Sequence, residues 1–349
     1  MNKFFYFFLL SFLQLNSQEK LVYNTLFQSS SQSNVSCFRI PSLATTNSGV
    51  LLAVIDERVE SCSDLRDNQD INIVMKMSWD NGKKWSEEKR LIDYPFGESA
   101  SDPSMIVDKI TNEIFLFFNY MNHKKNKNIY KLKYIKSKND GKTWTKPKDI
   151  TDEITDPNWN KDFMFITSGK GYQSSDGQLL HTIVNLDSGT HVFGSKNHGK
   201  TWFLIKNPIS PGDESKIIEL RNKNWMVNSR VNGLGHRYSH ITNNKGKTWI
   251  SKASEDLIDP GCNASLIRYN EDILLFSNIS NRKKRENLTI KLSYDEGMSW
   301  PKHKTIYSGS AAYSSLSILK NGEIGVLFEM DNYKKNVFVK FPIDWIEDF

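Results

Sequence analysis

Nine residues that could bind or transform a charged ligand lie next to predicted β-strands. They are Arg39, Arg58, Asp64, Asp102, Glu214, Arg230, Arg285, Tyr313 and Glu329. Guanidinium groups form charge-assisted, often bidentate hydrogen bonds with carboxylates and phosphates, and carboxyl groups and a phenol can exchange protons. If the chain brings the four arginines together, these residues predict a pocket for an anionic ligand. Ordinary loop polarity is the alternative explanation.

A turn motif that occurs five times indicates which elements position these residues. It begins with Ser or Thr, has Asp or Asn third and Gly fifth, and ends in Trp. Its copies cover residues 78–85, 137–144, 195–202, 242–249 and 293–300. Asp and Asn accept hydrogen bonds from backbone N–H groups two residues on, Gly supplies a positive φ, and Trp packs against neighbouring strands. The motif predicts a tight hairpin and has no reactive geometry of its own.

The segments between the motifs predict a fold made of strands. Each motif ends a strand-like run such as residues 71–77, and each unit contains an earlier apolar strand such as residues 50–55. Four strands that repeat every ~47–59 residues are typical of propeller blades. We therefore expect an all-β, six-bladed β-propeller of four-stranded antiparallel blades. The sixth blade lacks the motif, and residues 21–23 complete the last blade.

The order of strands in a blade predicts where the polar residues lie. In an antiparallel meander, the motif turn between the third and fourth strands lies at one edge. The start of the first strand and the loop between the second and third strands lie at the opposite edge. The nine polar residues all fall at this second edge, so we expect one shared site opposite the motif.

The N-terminus and the composition narrow the remaining possibilities. Residues 1–17 have a charged start, an apolar stretch over residues 4–13 and a polar end, as a signal peptide does. The apolar stretch is shorter than the ~20 residues that a membrane-spanning helix needs. We expect a secreted or periplasmic protein without stable membrane insertion, in which residues 18–349 form a single domain.

The net charge and the distribution of aromatic and metal-binding residue types indicate which partners and cofactors to expect. The formal net charge of +6 favours anionic partners, or reflects a solvated lysine-rich surface. The aromatic residues do not interleave with a basic stripe, so we do not expect a nucleic-acid partner. No His, Cys and Asp cluster has metal-ligand spacing, so neither a metal nor another cofactor is expected.

Several segments resemble the bacterial-type exo-α-sialidase (neuraminidase) family. Residues 38–41, Phe-Arg-Ile-Pro, are similar to that family's arginine motif, and the five turn motifs resemble its Asp-box (BNR) repeats. Residues 213–220 with 228–230, residues 285–289 and residues 312–316 resemble the segments with its catalytic glutamate, two further arginines and nucleophilic tyrosine. The resemblance extends from about residue 20 to the C-terminus.

The resemblance implies a role for each candidate residue and sialylated glycans as partners. Arg39, Arg230 and Arg285 would clamp the carboxylate of sialic acid, and Glu329 would orient Arg39. Tyr313 would be the nucleophile, Glu214 its base, and Asp64 the acid that protonates the leaving oxygen. Arg58 and Asp102 would contact the sugar hydroxyl groups. The expected reaction is hydrolysis of terminal sialic acids with retention, through a tyrosyl-linked intermediate.

Some assignments stay open at this point. Asp67 competes with Asp64, and Arg282 competes with Arg285. Cys37 and Cys62 each lie two residues before a site residue and could form a disulfide if those loops meet, or all three cysteines could be free thiols. A sialoglycan-binding propeller without catalysis is an alternative function. A trans-sialidase, or a variant that releases an anhydro sugar, is another.

Overall fold

The computed structural model describes residues 21–30 and 32–347. The predicted signal peptide, residues 1–17, lies outside the described residues. The strands up to residue 185 are β1 (Asn24–Gln28), β2 (Cys37–Thr45), β3 (Leu51–Arg58), β4 (Ile71–Ser78), β5 (Lys89–Ile92), β6 (Glu98–Val107), β7 (Ile114–Asn122), β8 (Lys131–Ser137), β9 (Lys148–Asp149), β10 (Met164–Ile166), β11 (Gly169–Lys170), β12 (Tyr172–Gln173) and β13 (Leu179–Asn185).

Twelve further strands follow in the second half of the chain. They are β14 (Gly189–Ser195), β15 (Phe203–Ile209), β16 (Ser215–Glu219), β17 (Trp225–Ser229), β18 (His236–Thr242), β19 (Ile250–Ile258), β20 (Ser265–Arg268), β21 (Leu274–Ile279), β22 (Glu286–Ser293), β23 (Lys302–Ile318), β24 (Ile324–Met330) and β25 (Lys335–Phe341). The described helices are α1 (Thr151–Ile154) and α2 (Asp344–Glu347), and neither is long enough to cross a membrane.

The described strands form five sheets. The first sheet contains β2–β5, and the second contains β6–β9 with β11. The third contains β10 and β12–β15, the fourth contains β16–β19, and a seven-stranded sheet contains β20–β25 with β1. The fold is all-β and propeller-like. The strands pair into five sheets of four, five or seven strands, and not into the predicted six separate four-stranded blades. The reason is β23, a 17-residue strand that pairs with β22 through its first part and with β24 through its second part.

The two ends of the chain meet in the seven-stranded sheet. Strand β1 pairs antiparallel with β25, where Asn24 lies opposite Phe338. The N-terminal segment therefore joins the last sheet, as the sequence suggested, but the pairing begins at Asn24, one residue beyond the predicted residues 21–23.

The turn motif is held by two side chains, of which the sequence analysis interpreted one. In the second copy, the hydroxyl of Ser137 accepts a hydrogen bond from Gly141 N at 2.9 Å, and the Asn139 side-chain oxygen accepts one from Thr143 N at 2.9 Å. The Asp or Asn side chain therefore accepts from the N–H group four residues on, not two. The hydroxyl at the first position accepts from the glycine N–H and so closes the first part of the turn. The other four copies have the same pair of bonds.

The motif glycines lie against the sheet that precedes them around the ring. The pairs are Gly82 with Phe338, Gly141 with Leu52, Gly199 with Phe115, Gly246 with Ile205 and Gly297 with Met226. The first pair joins the first sheet to the seven-stranded sheet, which is the last along the chain. The series of contacts therefore forms a closed ring of sheets. Apolar side chains also pack between neighbouring sheets; for example, Val54 of β3 lies in the same buried cluster as Leu116 of β7. The core is therefore distributed around the ring.

We predict that Gly199→Ala destabilises the protein more than Gly322→Ala, a substitution at a glycine with a similar φ. Gly199 has φ +74°, and an added methyl group would overlap the ring of the buried Phe115. The positive φ costs roughly 1–2 kcal/mol for an L-residue, and overpacking adds ~1–3 kcal/mol. Urea denaturation should show a loss of unfolding free energy of about 2–5 kcal/mol.

Gly322→Ala is the matched control for this effect. Gly322 has a similar φ of +84°, but an added methyl group there meets no atom within 4 Å. The control should lose only the ~1–2 kcal/mol of backbone strain. Equal losses for the two variants would show that the motif glycine does not join neighbouring sheets.

Candidate active site

The edge opposite the motif turns brings the predicted site residues together. Arg58 at one end of β3 pairs with Ile71, whereas Leu51 at the other end pairs with Ser78, the first residue of the motif. One group of site residues forms a single connected cluster, which is called the pocket below. These residues are Arg39, Glu214, Arg230, Arg285, Tyr313 and Glu329. A second group beside it contains Arg58, Asp64 and Asp102, together with Asp56.

Tyr313 and Glu214 form the centre of the pocket. The Tyr313 hydroxyl donates a hydrogen bond to Glu214 Oε2 at 2.7 Å, and Arg230 Nη1 lies 3.1 Å from the same hydroxyl and pairs with the same carboxylate. Burial, together with the negative charge of Glu214, raises the pKa of Tyr313 well above its ordinary value. The phenol is therefore neutral at rest, and its proton already points at a base.

Glu329 holds Arg39 and the backbone around it. Its carboxylate accepts hydrogen bonds from Arg39 Nε at 2.6 Å, from Ile40 N at 2.9 Å and from Tyr313 N at 3.1 Å. The Glu329 side chain is fully buried, whereas that of Arg39 keeps 11% of its surface exposed. The predicted role of Glu329 in orienting Arg39 agrees with this geometry.

Two β-bulges, one in β2 and one in β6, orient side chains toward the site. Ile40 in β2 has φ +65° and Asp102 in β6 has φ +63°, and each precedes a proline in the sequence. The strand register shifts at both places. A β-branched residue seldom adopts a positive φ, and bulges that redirect side chains are common next to active sites.

Arg285, and not Arg282, belongs to the pocket. The Arg285 guanidinium lies 5.6 Å from the centre of the Tyr313 ring and donates hydrogen bonds to Tyr333 Oη at 3.0 Å and Gly261 O at 3.2 Å. Arg282 instead donates to Gly235 O at 3.4 Å on the exposed side of its loop. These positions favour Arg285 over Arg282, and the role of Arg285 in binding a carboxylate stays a prediction.

Asp64 pairs with Arg58, whereas Asp67 does not. Arg58 Nη1 lies 2.7 Å from Asp64 Oδ1, and the Asp64 side chain is 79% exposed. Asp67 forms no ion pair with any residue in the part of the chain that the structure describes. Partial desolvation among the neighbouring side chains acts to raise the pKa of Asp64, but the charge and hydrogen bond of Arg58, with the charges of Arg39 and Arg285, outweigh it and lower that pKa below its usual range.

The Arg58 side chain is fully covered in this structure. It donates to Asp56 Oδ2 at 3.1 Å, to Asp64 Oδ1 at 2.7 Å and to Cys62 O at 2.8 Å. A contact between Arg58 and a sugar hydroxyl, which the resemblance implied, therefore requires Asp64 to move away. That contact stays a prediction.

Asp102 shares its environment with a second aspartate. Asp56 accepts bonds from Ser101 Oγ at 2.6 Å and Asp102 N at 3.0 Å, in addition to those from Arg58, while Asp102 accepts one from Asn119 Nδ2 at 3.0 Å. Burial raises the pKa of both carboxyl groups, and the charge of Asp56 raises that of Asp102 further. Because Asp56 has more donors, we assign the ionised form to Asp56 and the proton to Asp102.

A disulfide joins Cys37 to Cys62, whereas Cys262 is a buried free thiol. The bond ties the loop that contains Asp64 to the start of β2, two residues from Arg39. The disulfide alternative of the sequence analysis is confirmed.

Two residues of the site, Asp56 and Tyr333, were not predicted from the sequence. Asp56 directly follows the apolar residues 51–55, and a carboxylate that continues such a strand was a signal, because buried carboxylates need partners. Tyr333 lies in a hairpin between β24 and β25 and had no signal of its own. Among the described residues, no group of three or more His, Cys, Asp or Glu side chains could hold a metal ion.

The fold and the pocket together define a class: a propeller-like repeat domain with an arginine-rich pocket around a tyrosine–glutamate pair. The sequence profile of the family described as BNR repeat-like domain matches residues 60–326, and the chain belongs to this family.

Curated relatives with similar sequences are sialidases. The sialidase of Bacteroides fragilis is 33% identical over 334 residues, which cover 85% of this chain and 60% of that protein. The sialidase of Micromonospora viridifaciens is 31% identical over 346 residues, covering 88% of this chain and 52% of that protein. The chain thus spans about half to three-fifths of the length of these two relatives.

Solved structures give the same fold. A Hadza microbial sialidase superposes with a TM-score of 0.80 at 27% identity, over 91% of this chain and 68% of that chain. The intramolecular trans-sialidase from Ruminococcus gnavus superposes with a TM-score of 0.79 over 93% of this chain and 98% of that chain. Its identity is 18%, so it supports the fold alone.

The raised pKa of Asp102 predicts a pH-dependent stability difference from Asp102→Asn. An unfolded aspartate ionises near pH 4, whereas the buried one keeps its proton to higher pH. The stability that this proton contributes is fully present below pH ~4 and is lost as the pH rises through the folded pKa. Relative to Asp102→Asn, the wild type should lose up to about 1.4 kcal/mol of unfolding free energy per pH unit above pH ~4.5.

Asp80→Asn provides the control in the same urea titrations. Asp80 has a lowered pKa, and Asn occupies the same motif position at residues 139, 197 and 244. Its difference from the wild type should stay constant between pH 5 and pH 8. A constant difference for Asp102→Asn over this range would contradict the assignment of the proton to Asp102.

Proposed function

We propose that the chain is an exo-α-sialidase that hydrolyses terminal sialic acids from glycoconjugates, with retention, through a tyrosyl-linked intermediate. The observation that supports this most is the hydrogen bond from Tyr313 to Glu214 inside a ring of three arginines. The similarity to sialidases at 31–33% identity supports the same substrate class.

The three arginines suit a substrate with a carboxylate on its anomeric carbon. Arg39 is held by Glu329, Arg230 by Glu214, and Arg285 by neutral oxygens. Their remaining N–H groups can form charge-assisted hydrogen bonds with the two carboxylate oxygens. A nucleophilic carboxylate would be repelled by this substrate, whereas a neutral phenol is not.

Tyr313 and Glu214 supply the first chemical step. Glu214 takes the phenolic proton while the tyrosine oxygen forms its bond to the anomeric carbon and the glycosidic bond breaks. Arg230 contacts both partners and therefore stabilises the negative charge as it moves from Glu214 to the phenolate oxygen.

Asp64 serves as the acid for the leaving oxygen and then as the base for water. In the free protein the arginines lower its pKa, which favours the ionised form. A bound substrate carboxylate brings a negative charge to two of these arginines, Arg39 and Arg285, and so partly offsets this lowering. Substrate binding thus moves Asp64 toward its proton-bearing form, at the stage when an acid is required.

Arg58 and Asp102 are proposed to bind the hydroxyl groups of the sugar. Asp102 lies at a bulge and, when protonated, can donate as well as accept a hydrogen bond. Arg58 becomes available when Asp64 turns toward the leaving group, because Asp64 covers one of its amino groups.

The number of blades and the cellular location of the protein are two further parts of the proposal. We propose that the ring has six blades, with the first part of β23 joining β20–β22 and its second part joining β24, β25 and β1. We also propose export by the N-terminal signal peptide to a secreted or periplasmic location. The disulfide is in keeping with an oxidising compartment. Nucleic acid binding and stable membrane insertion are not part of the proposed function.

Tyr313→Phe tests the proposed nucleophile. The variant keeps the ring but has no oxygen to bond the sugar, so kcat for a fluorogenic aryl sialoside should fall on the order of 10³-fold or more. The product from the wild type, analysed by NMR, separates free sialic acid from an anhydro sugar or a transferred sialoside.

Tyr294→Phe is the control, because Tyr294 lies in a motif turn at the opposite edge and bonds Glu347. It should retain wild-type turnover. Near-normal activity of folded Tyr313→Phe would contradict the nucleophile assignment. Binding of sialosides without turnover by the wild type, from pH 4 to pH 8, would favour the non-catalytic alternative.

Asp64→Ala tests the proposed acid with two leaving groups. An aryl leaving group departs without much help from an acid, whereas a sugar hydroxyl does not. The substitution should therefore lower kcat/KM for a sialyl oligosaccharide by roughly 10²-fold or more beyond its effect on an aryl sialoside.

Asp67→Ala is the matched control, since Asp67 lies three residues away on the same exposed loop. It should leave both kcat/KM values near those of the wild type. If Asp67→Ala shows the selective loss instead, the acid is Asp67 and the assignment to Asp64 is wrong.

A further inference from the structure

Tyr333 contacts two of the three pocket arginines. Its hydroxyl accepts a hydrogen bond from Arg285 Nη1 at 3.0 Å, and the Arg39 guanidinium carbon lies 4.0 Å from the centre of its ring. A guanidinium at this distance from an aromatic ring is attracted to the ring face. One side chain therefore fixes the relative positions of two like charges that would otherwise repel.

Arg285 depends on this contact more than its neighbours do. Arg39 and Arg230 each have a carboxylate partner, whereas Arg285 pairs with no carboxylate among the residues that the structure describes. Its described hydrogen-bond acceptors are two neutral oxygens, those of Tyr333 and Gly261. No described carboxylate neutralises the charge of Arg285, so this charge is available to an anionic ligand. The orientation of its guanidinium group depends on neutral groups.

The backbone that presents Tyr333 is strained and firmly anchored. Asp331, Asn332 and Tyr333 all have positive φ, of 55°, 54° and 66°. Three such residues in succession cost free energy and persist only where the surroundings enforce them. Ser310 holds this turn through Asp331 N at 2.9 Å and Asn332 Oδ1 at 2.8 Å.

We propose that Tyr333 is a positioning residue that holds Arg39 and Arg285 at the spacing required to bind a single carboxylate. The inference rests on the proposed function and adds a residue to it. Such a contact is present before the ligand arrives, so it reduces the ordering that binding requires. Because the substrate carboxylate is bound in both the ground state and the transition state, loss of Tyr333 should raise KM more than it lowers kcat.

Tyr333→Phe separates the hydroxyl from the ring and is expected to fold normally. The probes are 2,3-didehydro-2-deoxy sialic acid and its methyl ester, with binding measured by calorimetry. The wild type should prefer the free acid to the ester. In Tyr333→Phe the affinity for the acid should fall about tenfold, the loss expected for one hydrogen bond to a charged group, while that for the ester changes little.

Tyr307→Phe controls for the stability of the same turn. The Tyr307 hydroxyl donates to Asp331 in this turn, and Tyr307 contacts neither Arg39 nor Arg285 in the structure. This variant should keep the wild-type preference for the acid even if its melting temperature falls. A loss of preference in both variants would assign Tyr333 a structural role only and overturn the proposal.

The remaining outcomes distinguish the two proposals. Unchanged or tighter binding of the acid by Tyr333→Phe overturns the role of Tyr333, because tighter binding means that its hydroxyl competes with the carboxylate. If the wild type itself does not distinguish the acid from the ester, the arginine pocket is not a carboxylate clamp, and the proposed function fails first.

Discussion

Much of the structure depends on one kind of contact, in which a buried polar side chain of a strand binds a backbone N–H of the next sheet around the ring. Glu329 of β24 accepts from Ile40 N at 2.9 Å, Asp56 of β3 accepts from Asp102 N at 3.0 Å, and Asn119 of β7 accepts from Ile166 N at 2.9 Å. Each contact replaces water at a buried donor, whose loss would leave an unpaired group. The three contacts hold four successive elements of the ring together.

The chemistry of the pocket follows from the charge that two of these contacts introduce. A carboxylate buried in this way needs a cation, because an unpaired buried charge is costly. Arg39 neutralises Glu329 and Arg58 neutralises Asp56, whereas Asn119 is neutral and no arginine contacts it among the described residues. Two arginines of the site, Arg39 and Arg58, are therefore also the counter-ions of the contacts between sheets.

The sequence predicted the features that depend on local pattern and missed those that depend on pairing. The motif spacing located the strands and the edge that holds the site, because turn chemistry and alternation are local. The continuity of β23 across two groups of strands was not predictable, because it depends on which strands pair. Asp56 and Tyr333 were missed for the same reason: their partners, Asp102 and Arg285, are distant in sequence. The burial of Arg58 was not predicted either, because it depends on the ion pair with Asp56.

The two bulges connect the architecture to the orientation of the site. A regular strand would alternate its side chains through residues 40 and 102 and would point the N–H groups of these two residues along the sheet. The positive φ at Ile40 and Asp102 turns those N–H groups toward Glu329 and Asp56 instead. Each carboxylate thus stabilises a backbone conformation that is unfavourable by itself, and the same distortion aims Arg39 and Asp102 at the pocket. Fold stability and site geometry are therefore coupled at these two positions, and a substitution that relaxes either bulge changes both.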